Sequence, residues 1–76
     1  MKKVEIYTSD ACGGCIQAKD YFKEKGVNYI EHNINKNSDA RKELIGMGYM
    51  SVPLILINEE HVLGFDLKRI EELLNK

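Results

Sequence analysis

Cys12 and Cys15, in the stretch Ala11-Cys12-Gly13-Gly14-Cys15, are the only cysteines among 76 residues. Two thiols so spaced can work as a redox dithiol, supply half of a four-ligand metal site, or lie together by accident of composition. The residues ahead of them favour the first. Val4 and Ile6 alternate with Lys3 and Glu5 as in a strand. Thr8-Ser9-Asp10 then supplies short polar side chains suited to a turn and a helix start. Cys12 therefore falls where a strand gives way to a helix.

That position has a chemical consequence. The first amides of a helix lack intrahelical partners, and the helix dipole adds roughly half a positive charge there. Both favour the thiolate, which is the nucleophile, and such sites lower a cysteine pKa from ~8.5 into a range of roughly 3.5–7.5. Cys15 lies one turn later on the apolar face, with Ala18 and Phe22. It is expected to be the more buried thiol, within reach of Cys12 once that sulfur has entered a disulfide. The asymmetry assigns two roles: Cys12 attacks and Cys15 resolves.

The rest of the chain must hold this junction. From Cys12 onward, Cys15, Ala18, Tyr21/Phe22 and Lys25 fall at helical spacing, and Gly26 marks a stop. Val27 to Ile34 reads as a second strand. Asn35 to Asp39 opens a second helix, in which Ala40, Leu44 and Met47 share a face before Gly46 and Gly48 end it. Pro53-Leu54-Ile55-Leu56-Ile57 is a continuous apolar run, as for a strand buried on both faces. Asn58-Glu59-Glu60 reads as a turn, with His61-Val62-Leu63 returning antiparallel. Gly64-Phe65-Asp66 leads to a last helix with Leu67, Ile70, Leu73 and Leu74 on one side, and Asp66 suits its N-cap. The order β-α-β-α-β-β-α predicts an α/β fold, a four-stranded mixed sheet flanked by three helices. Its first two strands should run parallel through a right-handed crossover.

Composition bounds the partners. Residues 1–76 are expected to form a single domain, since chains near 60 residues already bury roughly 60% of their surface. Apolar residues make up 43%, an ordinary share. With 11 basic and 12 acidic residues, the net charge is −1, and no basic patch suggests nucleic acid. No apolar run approaches the ~20 residues needed to span a bilayer. The opening Met1-Lys2-Lys3-Val4-Glu5-Ile6 has no apolar core like that of a secretory signal. The expected location is the cytoplasm, where thiols are kept reduced and a close cysteine pair points to catalysis or metal binding.

At this level the chain resembles the glutaredoxins and related small redoxins of the thioredoxin-fold superfamily. The likeness rests on IYTSDACGGCIQAKDYF, then SVPLILI, then HVLGFD, and runs from Lys3 to about Leu74. It implies a thioredoxin-like fold and a thiol–disulfide oxidoreductase acting on protein disulfides or glutathione mixed disulfides. The resemblance also implies a cis peptide at Val52-Pro53, packed on the dithiol. Ser51 and Val52 precede that proline, with the Val52 backbone offered to substrate. Gly64 and Asp66, with Phe65 between them, match the segment that holds the γ-glutamyl end of glutathione. Glutathione is thus the expected co-substrate, with no tightly bound cofactor and no metal.

The chain departs from the family pattern in places. Gly13-Gly14 stands where glutaredoxins usually carry Pro-Tyr or Pro-Phe, and Ser9 where a lysine is common. Asp10 would oppose thiolate formation. Leu63-Gly64 replaces the usual pair of glycines. Arg41 is the candidate cation for a glycyl carboxylate. The Gly-Phe-Asp segment also resembles redoxins served by thioredoxin reductase, so the reductant is expected to be glutathione, such a flavoenzyme, or both. The protein itself is expected to be a monomer. An alternative is a glutathione-dependent carrier of an iron–sulfur cluster or metal held through Cys12.

Several residues have plainer readings. A zinc site would need His32 and His61, whose distances from Cys15 do not fit a C-x₂₋₄-C…H-x₃₋₅-H pattern. Each is expected to be a solvated strand residue. Tyr7, Tyr21, Tyr29 and Tyr49 are expected to pack, Tyr7 having the best claim to the site. Met47, Tyr49 and Met50 lead into the Val52-Pro53 loop and are expected to pack on the core. Phe65 is expected either as an exposed contact or as a cap over the core.

Overall fold

The computed structural model describes residues 3–75. The seven elements follow the expected order: β1 (Val4–Thr8), α1 (Gly13–Glu24), β2 (Ile30–Asn33), α2 (Ser38–Gly46), β3 (Leu54–Ile57), β4 (Glu60–Leu63) and α3 (Leu67–Leu74). The strands form one mixed sheet in the order β2-β1-β3-β4. β1 runs parallel to β2 and antiparallel to β3, and β3 pairs antiparallel with β4. This is the thioredoxin-like arrangement that the sequence implied.

Strand alternation decides which helix covers which face. Val4 and Ile6 join Ile55, Ile57 and Val62 in a core closed by Ala18 and Phe22 of α1 and by Ile70 and Leu73 of α3. On the other face, Tyr7 and Leu54 pack against Ala40 and Leu44 of α2. The last residues of β1 thus emerge between two cores, which fixes the direction of the chain as it leaves for Cys12.

Helix ends account for one difference from the expected elements. α1 closes with the Gly26 N–H donating to the Lys23 carbonyl and the Val27 N–H to that of Phe22, at 3.2 and 2.8 Å. That pattern is a Schellman motif, and it spends the Val27 amide on the helix. Val27 therefore cannot open a strand, and β2 begins only at Ile30.

The hairpin between β3 and β4 is also tighter than expected. Ile57 pairs with Glu60, so the turn is Asn58-Glu59 alone, and Glu60 already belongs to β4. Both turn residues have positive φ, 49° and 75°, as a twist-matched two-residue turn requires. Among the described residues no helix is long and apolar enough to cross a membrane.

Candidate active site

Cys12 is the N-cap of α1, with an extended backbone. Its sulfur accepts a hydrogen bond from the Cys15 N–H at 3.1 Å. One of the helix's unpartnered amides is therefore aimed at this sulfur. Cys12 is half-buried and Cys15 fully buried, and the two are joined as a disulfide with Cα atoms 5.3 Å apart. The expected asymmetry is present: one sulfur capped by an amide at the surface, the other enclosed by the core.

The glycines between them differ. A Cβ at Gly13 would meet nothing within 4 Å, whereas one at Gly14 would lie 3.2 Å from Pro53 Cδ. Pro53 is buried, and the Val52-Pro53 bond is cis. The Pro53 carbonyl accepts the Gly64 N–H at 2.8 Å. Gly64 adopts φ +83°, a left-handed conformation open to glycine at little strain. Asp66 then caps α3, its Oδ1 accepting the Arg69 N–H at 3.2 Å. A chain of contacts from Gly14 through Pro53 and Gly64 to Asp66 brings together segments far apart in sequence.

Other candidates fall elsewhere. Ser51 is exposed, and Val52 packs half-buried against the α2-side core. Phe65 packs on the α1/α3 core, its ring edge-on to Tyr21 with centroids 6.1 Å apart. Arg41 is exposed on α2. Met47 and Tyr49 pack on the α2-side core as expected, but Met50 is 91% exposed.

Tyr7 belongs to packing. It is buried and stacks on His32 with centroids 4.7 Å apart. Burial pushes its phenol up from the ordinary value, and the Glu43 and Glu5 carboxylates add to that. His61 lies exposed on β4, as expected, whereas the reading of His32 as a solvated strand residue needs correction. His32 is half-buried, with Nε2 3.0 Å from Glu5 Oε1, and the exposed His61 is bonded through Nδ1 to the Tyr49 hydroxyl at 2.9 Å. Each ring has one nitrogen so engaged, and among the described residues no group of three or more His, Cys, Asp or Glu side chains is placed to hold a metal ion.

Two polar clusters were not anticipated. Thr8, fully buried at the end of β1, donates its hydroxyl to Glu31 Oε2 at 2.7 Å, and Lys19 Nζ reaches the same oxygen at 3.1 Å. The Thr8 hydroxyl holds the Glu31 carboxyl below its ordinary pKa; burial works against this, and the Lys19 ammonium adds to it. The second cluster joins Asp10 to Asn33 and Asn35. Neither has a signature in residue spacing, because each depends on which strands become neighbours.

Comparison with known proteins agrees with this geometry. The glutaredoxin family model matches residues 4–62. Glutaredoxin 3 of Escherichia coli is 40% identical over 67 residues, covering 87% of this chain and 81% of its own. The structure of glutaredoxin 1 from Francisella tularensis superposes with a TM-score of 0.81 at 32% identity, each chain covered in full. The thioredoxin-like protein BC3987 gives a TM-score of 0.87, also at 32% identity, over 93% of this chain and 99% of the other.

Proposed function

The chain belongs to the glutaredoxin family, whose members are thiol–disulfide oxidoreductases, and from that premise we propose how it works. It reduces protein disulfides or glutathione mixed disulfides, with Cys12 as nucleophile and Cys15 as resolving thiol. The observation that carries this reading is the Cys15 amide directed at the Cys12 sulfur while Cys15 itself is buried. An amide aimed at sulfur favours the anion, and the less buried of the two cysteines is the one a substrate can reach.

Cys12 thiolate attacks one sulfur of the substrate disulfide, forming a mixed disulfide and expelling the other sulfur as a thiolate that takes up a proton. Cys15 loses its proton and attacks the Cys12 sulfur, releasing the second substrate thiol and leaving the Cys12–Cys15 disulfide seen here. Two electrons from a thiol reductant then restore the dithiol. For a glutathione mixed disulfide, free glutathione can replace Cys15 in the release step.

Substrate placement follows from the same geometry. The backbone of Val52 would pair with the chain carrying the substrate sulfur, at the edge set by buried Pro53. The Gly64 amide is engaged by Pro53, so a γ-glutamyl carboxylate would meet the first-turn amides of α3. Asp66 would pair the adjoining amino group through the oxygen not used in capping. Arg41 would approach the glycyl carboxylate only by reaching across from α2. Phe65 would support this segment from the core. A single-domain monomer working in the reducing cytoplasm suits the chemistry.

The test follows NADPH oxidation with one disulfide substrate, supplying either glutathione with glutathione reductase or thioredoxin reductase. Turnover with glutathione supports the co-substrate assignment, and turnover with the flavoenzyme alone replaces it. No turnover in either system overturns the reading.

A further inference from the structure

We propose that Asn33 is a positioning residue for the exchange reaction, holding the Asp10 carboxylate on the β2 side of the sheet and away from the helix terminus that serves Cys12. The inference rests on Cys12 being the nucleophile, and it concerns a segment to which the reaction assigns no role.

Asp10 is the one acid in the linker 9–12, two residues before Cys12. Left to itself it is a liability. Aspartate side chains seek the free amides of a helix N-terminus, and those are the groups that stabilise a Cys12 thiolate. A carboxylate beside the sulfur would also oppose the thiolate through like charge.

The structure restrains it at both ends. The Asp10 N–H donates to Asn35 Oδ1 at 2.8 Å, and Asp10 Oδ1 accepts from Asn33 Nδ2 at 3.0 Å. Asn33 Oδ1 in turn accepts the Asn35 N–H at 2.9 Å, so the two asparagines brace one another. The backbone ladder reaches the same point, with the Ile34 N–H donating to the Thr8 carbonyl at 2.8 Å.

Sheet order gives the latch its direction. β2 lies on one side of β1 and β3 on the other. Gly14 of the dithiol motif sits against Pro53, which leads into β3, whereas Asp10 is tied to Asn33, which ends β2. The acid is thus tied toward β2 and the dithiol motif packed toward β3, the strands on either side of β1. Of the other charges, Lys19, one turn beyond Cys15, is bound to Glu31, Asp66 caps α3, and Asp20 is exposed on α1. The loop before Pro53 brings only Tyr49, which is bonded to His61.

The test follows the rate of alkylation of the reduced protein by iodoacetamide from about pH 4 to pH 9, with the modified cysteine identified by peptide mass. Asn33→Ala should raise the pH at which Cys12 modification is half-maximal by about 0.5, because a nearby like charge disfavours the thiolate. Asp10→Asn should leave that midpoint unchanged or lower it. The double variant should match Asp10→Asn, since no charge is left to misplace. An unshifted midpoint in Asn33→Ala overturns the proposal. So does a shift that persists in the double variant, which would make Asn33 a purely structural support. A wild-type protein whose Cys12 reacts no faster than Cys15 instead overturns the assignment of the nucleophile, and this proposal with it.

Discussion

Gly14 lies against the Pro53 ring so closely that a Cβ there would sit 3.2 Å from Pro53 Cδ. Pro53 in turn holds Gly64 through its carbonyl. The dithiol, the proline loop and the start of α3 therefore meet through a contact that leaves little room for a side chain's first atom. Gly13, beside it, faces open space.

This contrast gives a paired prediction. Gly13→Ala should stabilise the protein by about 0.5 kcal/mol, since alanine is the better helix former and nothing obstructs it. Gly14→Ala has the same intrinsic advantage but must displace Pro53 by a few tenths of an ångström. It should fall about 1 kcal/mol below Gly13→Ala in urea unfolding. Equal stability of the two variants would show that the proline loop yields freely.

The proposed division of labour between the sulfurs predicts a split between assays. Cys12→Ser should abolish turnover of every disulfide substrate. Cys15→Ser should remove reduction of protein disulfides that need the resolving thiol and spare turnover of a glutathione mixed disulfide, which glutathione can resolve. Equal loss of both activities in Cys15→Ser would exclude the single-thiol route.

Glu31 should mark the acid limb of stability. Its carboxyl is held below the ordinary value by the Thr8 hydroxyl foremost. The stabilisation is therefore complete above the unfolded pKa of roughly 4.3 and is lost as pH falls through the lower folded value. Glu31→Gln should flatten that part of the stability profile. Glu31→Ala should cost about 1–3 kcal/mol at neutral pH, because the buried Thr8 hydroxyl loses its acceptor. Denaturant midpoints from pH 7 down to pH 3 would read both effects.

The hairpin offers a gain. Glu59 has φ 75°, where a side chain is strained and glycine is not. Glu59→Gly should raise stability by about 1 kcal/mol, producing the Asn-Gly pair favoured in two-residue turns. A lower thermal midpoint would show that Glu59 makes a compensating interaction.

Much of this protein is legible from residue order. The alternation of Val4 and Ile6, the polar turn before Cys12, and the Asp66 cap are local signals, and local backbone preferences carry them into the folded state. The cysteine spacing pointed to a redox pair, and the helix start at Cys12 is where the structure places it. Strand ends were less legible: Val27 reads as β by residue type, but the closing turn of α1 claims its amide.

What only tertiary structure decided are the relations across strands. No spacing rule places Gly14 on Pro53, the Glu31 carboxylate on Thr8, or Asn33 on Asp10. Each pair becomes adjacent through the order β2-β1-β3-β4, which the competition among apolar faces sets for the chain as a whole. The sequence by itself determined that a cysteine pair would stand at the start of α1. The sheet decided which groups would stand near it, because hydrogen bonds between strands depend on neighbours that residue order does not name.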